Sequence, residues 1–205
     1  MKKKYVMVEE DKIDVECVCG GHKTTVHTLF RIKATRDFGN VHSGDLGGYI
    51  EKEENLSHDG LCWVGDEAMV YGDAIVGMDA KVFDYSRIYG NAVIYDSAIV
   101  SYYAQVFDNA HVSGNSVVMY SSMVFGNANI YGNSTIMDNA MVFGDSNINS
   151  AIIKDNAAVF GCSDIRNGVV IGGNSRINNM YFSKPITITA TSPKLIVEEA
   201  IENID

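Results

Sequence analysis

The sequence has no long apolar run: no stretch approaches the ~18 residues that a membrane-spanning helix needs. It also lacks a disulfide framework. Its four cysteines, Cys17, Cys19, Cys62 and Cys162, are too few and too scattered for the staples of small secreted domains. Reduced thiols and a cytoplasmic location are the expectation. Positive charge is scarce as well. Sixteen Lys and Arg against 26 Asp and Glu leave a formal net charge of −10, which argues against a general binder of nucleic acid or another polyanion. The opening MKKKYVMVEEDKIDVE has no apolar core behind its lysines, so it does not read as a secretory signal.

What is present is a beat of six. From Val64 every sixth residue is Val or Ile, through Val70, Val76, Val82, Ile88, Ile94, Val100 and onward to Ile148. Four places after each of these, up to Ser146, stands Ala or Ser. Periods of 3.6 or 2 give no such pattern, so neither a helix nor a half-buried sheet explains it. Self-similarity at a fixed short period marks a solenoid. Each hexad reads as a short strand with one inward β-branched side chain, then a corner where only Ala or Ser fits inside. The corners are rich in Gly, Asn and Asp, which tolerate left-handed backbone at least cost. Three hexads make a triangular coil, and coils stack ~4.8 Å apart as parallel strands. After Ile148 the beat resumes one residue early, at Ile153, Val159, Ile165, Ile171 and Ile177. That step is expected to leave the stacking in phase.

These hexads, roughly Val64 to Ile177, resemble the hexapeptide-repeat superfamily. The resemblance implies an all-β, left-handed parallel β-helix of about six to seven coils. On this reading residues 1–60 form an N-terminal β cap, 61–181 the β-helix and 182–205 a C-terminal strand or tail. The cap is expected because an open solenoid end exposes unpaired strand groups and core. VECVCGGHKTTVHTLFRIKA reads as a hairpin about Gly20-Gly21, pairing Cys19 with His22. PITITAT alternates like a strand; KLIVEEAIENID suits a strand or a helix equally. The stretch FRIKATRDFGNVHSGDLGGYIEKEENLSHDGLCWV also looks like the opening segment of β-helix proteins common in phages and prophages.

Four sets of residues are candidates for function. The residue after each inward aliphatic points outward, and on one face these are Tyr71, Tyr89, Phe107, Phe125, Phe143 and Phe160. So large an apolar stripe suits a buried self-interface, with covering by the chain's own C-terminal tail as the alternative. Superfamily members are typically trimers, which makes a homotrimer the expected assembly. A second set, Tyr85, Tyr102, Tyr103 and Tyr120, replaces good turn formers at one corner of three adjacent coils. Flat rings with hydroxyls there could stack a base and donate hydrogen bonds, or could form the rim of an interface. Any phosphate would recruit Arg31, Lys33 and Arg36, or Arg166 and Arg176. Third, superfamily enzymes are mostly acyltransferases that use coenzyme A and a histidine base, and His111 is the one histidine within the regular coils. No orienting partner or extruded acceptor loop accompanies it. The fourth set, Cys17, Cys19, His22 and His27, offers three ligands on one hairpin face with His27 turned away, short of the four of structural zinc. The resulting expectation is a non-catalytic protein that binds or sequesters a small ligand, such as a nucleotide, at subunit grooves. No cofactor or metal is expected. An acyltransferase and a purely structural assembly protein are the alternatives.

Overall fold

Short β-branched strands separated by bends turn the chain three ways per coil and stack it on itself. The structure is a computed structural model describing residues 3–19 and 23–196. On the first face lie Met69–Val70, Arg87–Ile88, Gln105–Val106, Met123–Val124, Met141–Val142 and Ala158–Phe160. Each pairs in parallel with the next, as in Gln105↔Met123 and Met123↔Met141. The second face carries strands such as His111–Val112, and the third strands such as Val117–Val118. Every aliphatic of the hexad series is sealed from solvent, at 0% exposure from Val64 to Ile177. The core is therefore a column of Val and Ile with Ala or Ser filling the corners. This is an all-β parallel β-helix. Among the described residues no helix is long and apolar enough to cross a membrane.

The solenoid is longer than the hexad signal. Strand β3 (Leu46–Ile50) already pairs in parallel with Met69–Val70. At the other end Thr187–Ile196 pairs in parallel with Val170–Asn178. About eight turns result, against six to seven expected, and parallel stacking begins before residue 61 and continues past 181. The end coils escape the pattern because they use long continuous strands in place of two-residue rungs. Ile50 supplies the inward aliphatic of the first coil, but glycines precede it. A Cβ on Gly48 would stand 2.4 Å from the Ala68 carbonyl oxygen.

The short step lies at the corner after Asn147–Asn149. Ser150 takes the left-handed conformation at φ 54° and Ala151 follows at once as the inward small residue. One bend residue is missing, and Thr135 pairs with Ile152, 17 places on. The stack stays in phase, as expected: the Phe143 and Phe160 rings lie 5.1 Å apart and within 4° of parallel.

Strands β1 (Tyr5–Cys19) and β2 (Lys23–Ala34) form the antiparallel hairpin of the cap. Its register corrects one expectation. Cys19 pairs with Lys23, Cys17 with Thr25 and Val15 with His27. The connection is thus one residue longer than a turn at Gly20-Gly21, and a one-residue shift flips a strand's faces. Cys17 and His27 consequently share a face. Gly20, Gly21 and His22 lie outside the described residues, as does the C-terminal stretch beyond Ile196. At the base of the cap, Tyr5, Ile32, Phe38 and Trp63 join the solenoid core and close its end. Lys4 is wholly buried there, its Nζ donating to the Cys62 carbonyl at 2.9 Å. Burial holds the Lys4 amine below its ordinary pKa and pushes the Cys62 thiol above its own.

The corner serines show how tightly the interior is satisfied. Ser86, Ser122, Ser134, Ser146, Ser163 and Ser175 each donate a hydroxyl proton to the carbonyl three residues back, at 2.7–2.8 Å. Ser116 is the exception: its buried Oγ has no partner. Ala fills the same slot in other coils. Ser116→Ala should raise stability by about 1 kcal/mol, whereas Ser122→Ala should lower it by about 0.5–1.5 kcal/mol. Chemical denaturation of the two variants side by side checks the contrast.

Candidate ligand-binding surfaces

The corner between the third and first faces is built from residues that must adopt left-handed backbone. In chain order these are Asp66, Asp84, Tyr102, Tyr120, Asp138, Asp155 and Gly173, with φ from 52° to 63°. The aspartates do more than tolerate the bend. Asp66, Asp84, Asp138 and Asp155 each accept, through Oδ2, the amide proton of the bend residue one coil on, at 2.7–3.1 Å. Tyr102 and Tyr120 break this ladder. A phenol cannot turn back to accept the amides of Tyr120 and Asp138, and a bulky residue pays ~1–2 kcal/mol for the conformation.

The rings gain little burial in exchange. Tyr85, Tyr102, Tyr103 and Tyr120 are 40–60% exposed. They sit together, as expected from the sequence. Tyr85 stacks on Tyr103 at 5.2 Å and 6°, and Tyr102 lies against Tyr120 at 4.7 Å. Beyond Tyr120 the same edge continues into a groove of about 390 Å³, floored by Ser121, Asn139 and Asn156 and flanked by Met123, Met141 and Arg176. Arg176 therefore lies on the same edge, three coils beyond Tyr120. That is a separation of ~15 Å at strand spacing.

The other basic candidates are placed differently. Arg31 is committed to Asp11 and Glu67, each at 3.0 Å, and lies over the Tyr49 ring. The register shift in β1 between Val8 and Lys12 accompanies this arrangement. Arg166 forms two hydrogen bonds with the Asp164 carboxylate, at 2.5 and 2.6 Å. Arg36 lies 5.8 Å from the Phe38 ring, and Lys33 is exposed on the cap strand.

The aromatic stripe is a continuous stack. From Tyr71 through Tyr89, Phe107, Phe125 and Phe143 to Phe160, successive centroids are 4.8–5.1 Å apart and the rings are within 4° of parallel. Its first rung is not free for another subunit. Tyr71 is 4% exposed, packed with Leu29 and Tyr49 beneath the hairpin, with Ile13 and Val15 against the same cluster. His27 lies 5.1 Å from the Tyr71 ring and bonds Glu51 at 2.9 Å. The cover over this end is the N-terminal hairpin. From Phe107 to Phe160 the rings are half-buried.

His111 lies on the second face between Val93 and Asn129 of the adjoining coils, exposed. Among the described residues no side chain orients its imidazole. Among those residues, too, no three His, Cys, Asp or Glu side chains gather to hold a metal ion.

A second cleft went unread in the sequence. About 480 Å³ in volume, it opens where the loop between β2 and β3 meets the third face, with Phe38, Leu46, Leu61, Trp63, Lys81 and Phe83 around it. Glycines make room for its walls. A Cβ on Gly47 would lie 2.6 Å from the Trp63 ring, and one on Gly65 would lie 2.7 Å from Phe83. A glycine followed eighteen places later by an aromatic is a legible sign of a ring lying over it. Gly65 and Phe83 fit it, as do Gly77 and Tyr95.

No protein-family model matches the chain. Among curated proteins, "Uncharacterized acetyltransferase YdcK" of Escherichia coli (strain K12) is 31% identical over 81 residues. The aligned segment is 39% of this chain and 24% of that protein, so the likeness spans about a quarter of the relative's length.

Proposed function

We propose that this chain is a non-catalytic, oligomeric β-helix that binds a small flat ligand, with a nucleotide the leading class, along the tyrosine edge. One observation carries the reading. Tyr102 and Tyr120 hold left-handed backbone at φ 60° while their rings stay in solvent. Strain kept where packing returns little is characteristic of functional sites. The phenols offer faces to a base, and the groove that adjoins Tyr120 offers amide donors on the same edge. The half-buried ladder from Phe107 to Phe160 suits a second and third copy of the chain, giving a homotrimer with the tyrosine edge at a subunit groove.

A second reading, acyl transfer from coenzyme A, draws on the name of the Escherichia coli relative. His111 would be its base. The exposed, unoriented ring and the uninterrupted coils favour binding without chemistry. Thermal-shift measurements with a nucleotide panel, cyclic nucleotides included, and with acetyl-coenzyme A separate the two. Stabilisation by a nucleotide that Tyr103→Ala abolishes is the expected result. Stabilisation by acetyl-coenzyme A, with acyl transfer that His111→Ala removes, would establish the enzyme instead. No response to any of these would leave a structural role.

A further inference from the structure

The cleft beside Trp63 is separate from the tyrosine edge and has its own chemistry. Its loop wall is stiff: Phe38 and Val41 exchange backbone hydrogen bonds at 2.9 and 3.0 Å, and the Asp37 and Asp45 carboxylates accept the Ser43 and His42 amides at 2.7 Å. The Phe38 ring meets Trp63 edge-on at 5.4 Å, which fixes the indole. A pre-formed apolar wall of this kind costs a ligand little ordering.

The polar groups divide by sign. Lys81 makes no ion pair or hydrogen bond among the described residues, and neither does the Trp63 indole N–H. The indole nitrogen is also not among the fully sealed atoms without a partner, so it keeps some contact with solvent. The two acids at the cleft are already engaged. Asp45 accepts the His42 amide, and Asp66 accepts the Asp84 amide at 3.1 Å. Lys33 holds the register position opposite Leu46, which puts a second cation at the rim. Two unspent donors against aromatic walls call for an acceptor on a flat apolar body.

We infer that this cleft binds a small aryl carboxylate, the ring lying against the wall that Trp63 and Phe83 form and the carboxylate accepting from Lys81 and the indole N–H. Charge-assisted donation would fix orientation, and ring burial would supply most of the affinity.

Trp63 is the chain's single tryptophan, so its fluorescence reports on the cleft directly. The probes are phenylacetate, its neutral analogue phenylacetamide, and inorganic phosphate. Phenylacetate should quench or shift the emission saturably and bind about tenfold tighter than the amide. Lys81→Met should remove that advantage while leaving the amide unchanged, and Lys81→Arg should keep it. Circular dichroism confirms that each variant is folded. Equal binding of acid and amide, an unaltered preference in Lys81→Met, or a linear, unsaturable response to phenylacetate would each overturn the assignment. So would phosphate competing as well as phenylacetate, since the site would then recognise charge alone.

Discussion

Replacing Phe125 by Asp should abolish assembly. Phe125 is an interior ring of the half-buried part of the ladder, 4.8 Å from both Phe107 and Phe143. Each stacked pair contributes about 0.5–1.5 kcal/mol beyond its area, so the substitution removes two such contacts within one chain. If other copies cover the ladder, it also buries an unpaired carboxylate, at a cost of about 3–5 kcal/mol. Light scattering should then show the parent mass replaced by that of a single chain. Phe125→Ala separates the two losses, since it removes the stacking without introducing charge and should weaken assembly less. A wild-type protein that is monomeric, or a Phe125→Asp variant that keeps the parent mass, would sink the ladder as a subunit seam. Among the described residues the hairpin would then be what covers the stripe, at its Tyr71 end.

The second large effect has the opposite sign. A Tyr102→Asn, Tyr120→Asn double variant should be more stable than the parent, by about 1–2 kcal/mol in sum. Asn tolerates left-handed backbone, and its amide oxygen can accept the amides of residues 120 and 138 as the corner aspartates do elsewhere. Asn also avoids extending the column of carboxylates that runs through Asp66, Asp84, Asp138 and Asp155. Loss of the tilted Tyr102–Tyr120 contact offsets part of the gain. For a chain of this size the change corresponds to a rise in Tm of roughly 3–6 °C. Any nucleotide-induced shift should fall in the same variant. Stability and binding moving apart would identify the tyrosines as residues kept for function. A variant less stable than its parent would instead make the rings structural, and the argument from strain would fail.

The hexad carries nearly all of the fold. Because every inward position meets its equivalents directly above and below, one rule repeated down the chain decides strand, corner and stacking at once. The columns of Val64 and its successors, the stack through Phe160 and the tyrosine corner were legible for that reason. A coil is set by local sequence, and its neighbours by a fixed count of residues.

Where the rule stops, tertiary structure decides. The hairpin register turned on a single residue in its connection, which moved His27 to the face of Cys17 and against the Tyr71 ring. Arg31 could be placed on a strand from sequence, but its carboxylates come from Asp11 and Glu67, 20 and 36 positions away, and only packing brings them together. The Trp63 cleft likewise joins a loop near residue 40 to side chains of two different coils. Periodic contacts follow from counting along the chain. Contacts between the cap and the coils depend on how separate segments meet, and no local rule encodes that meeting.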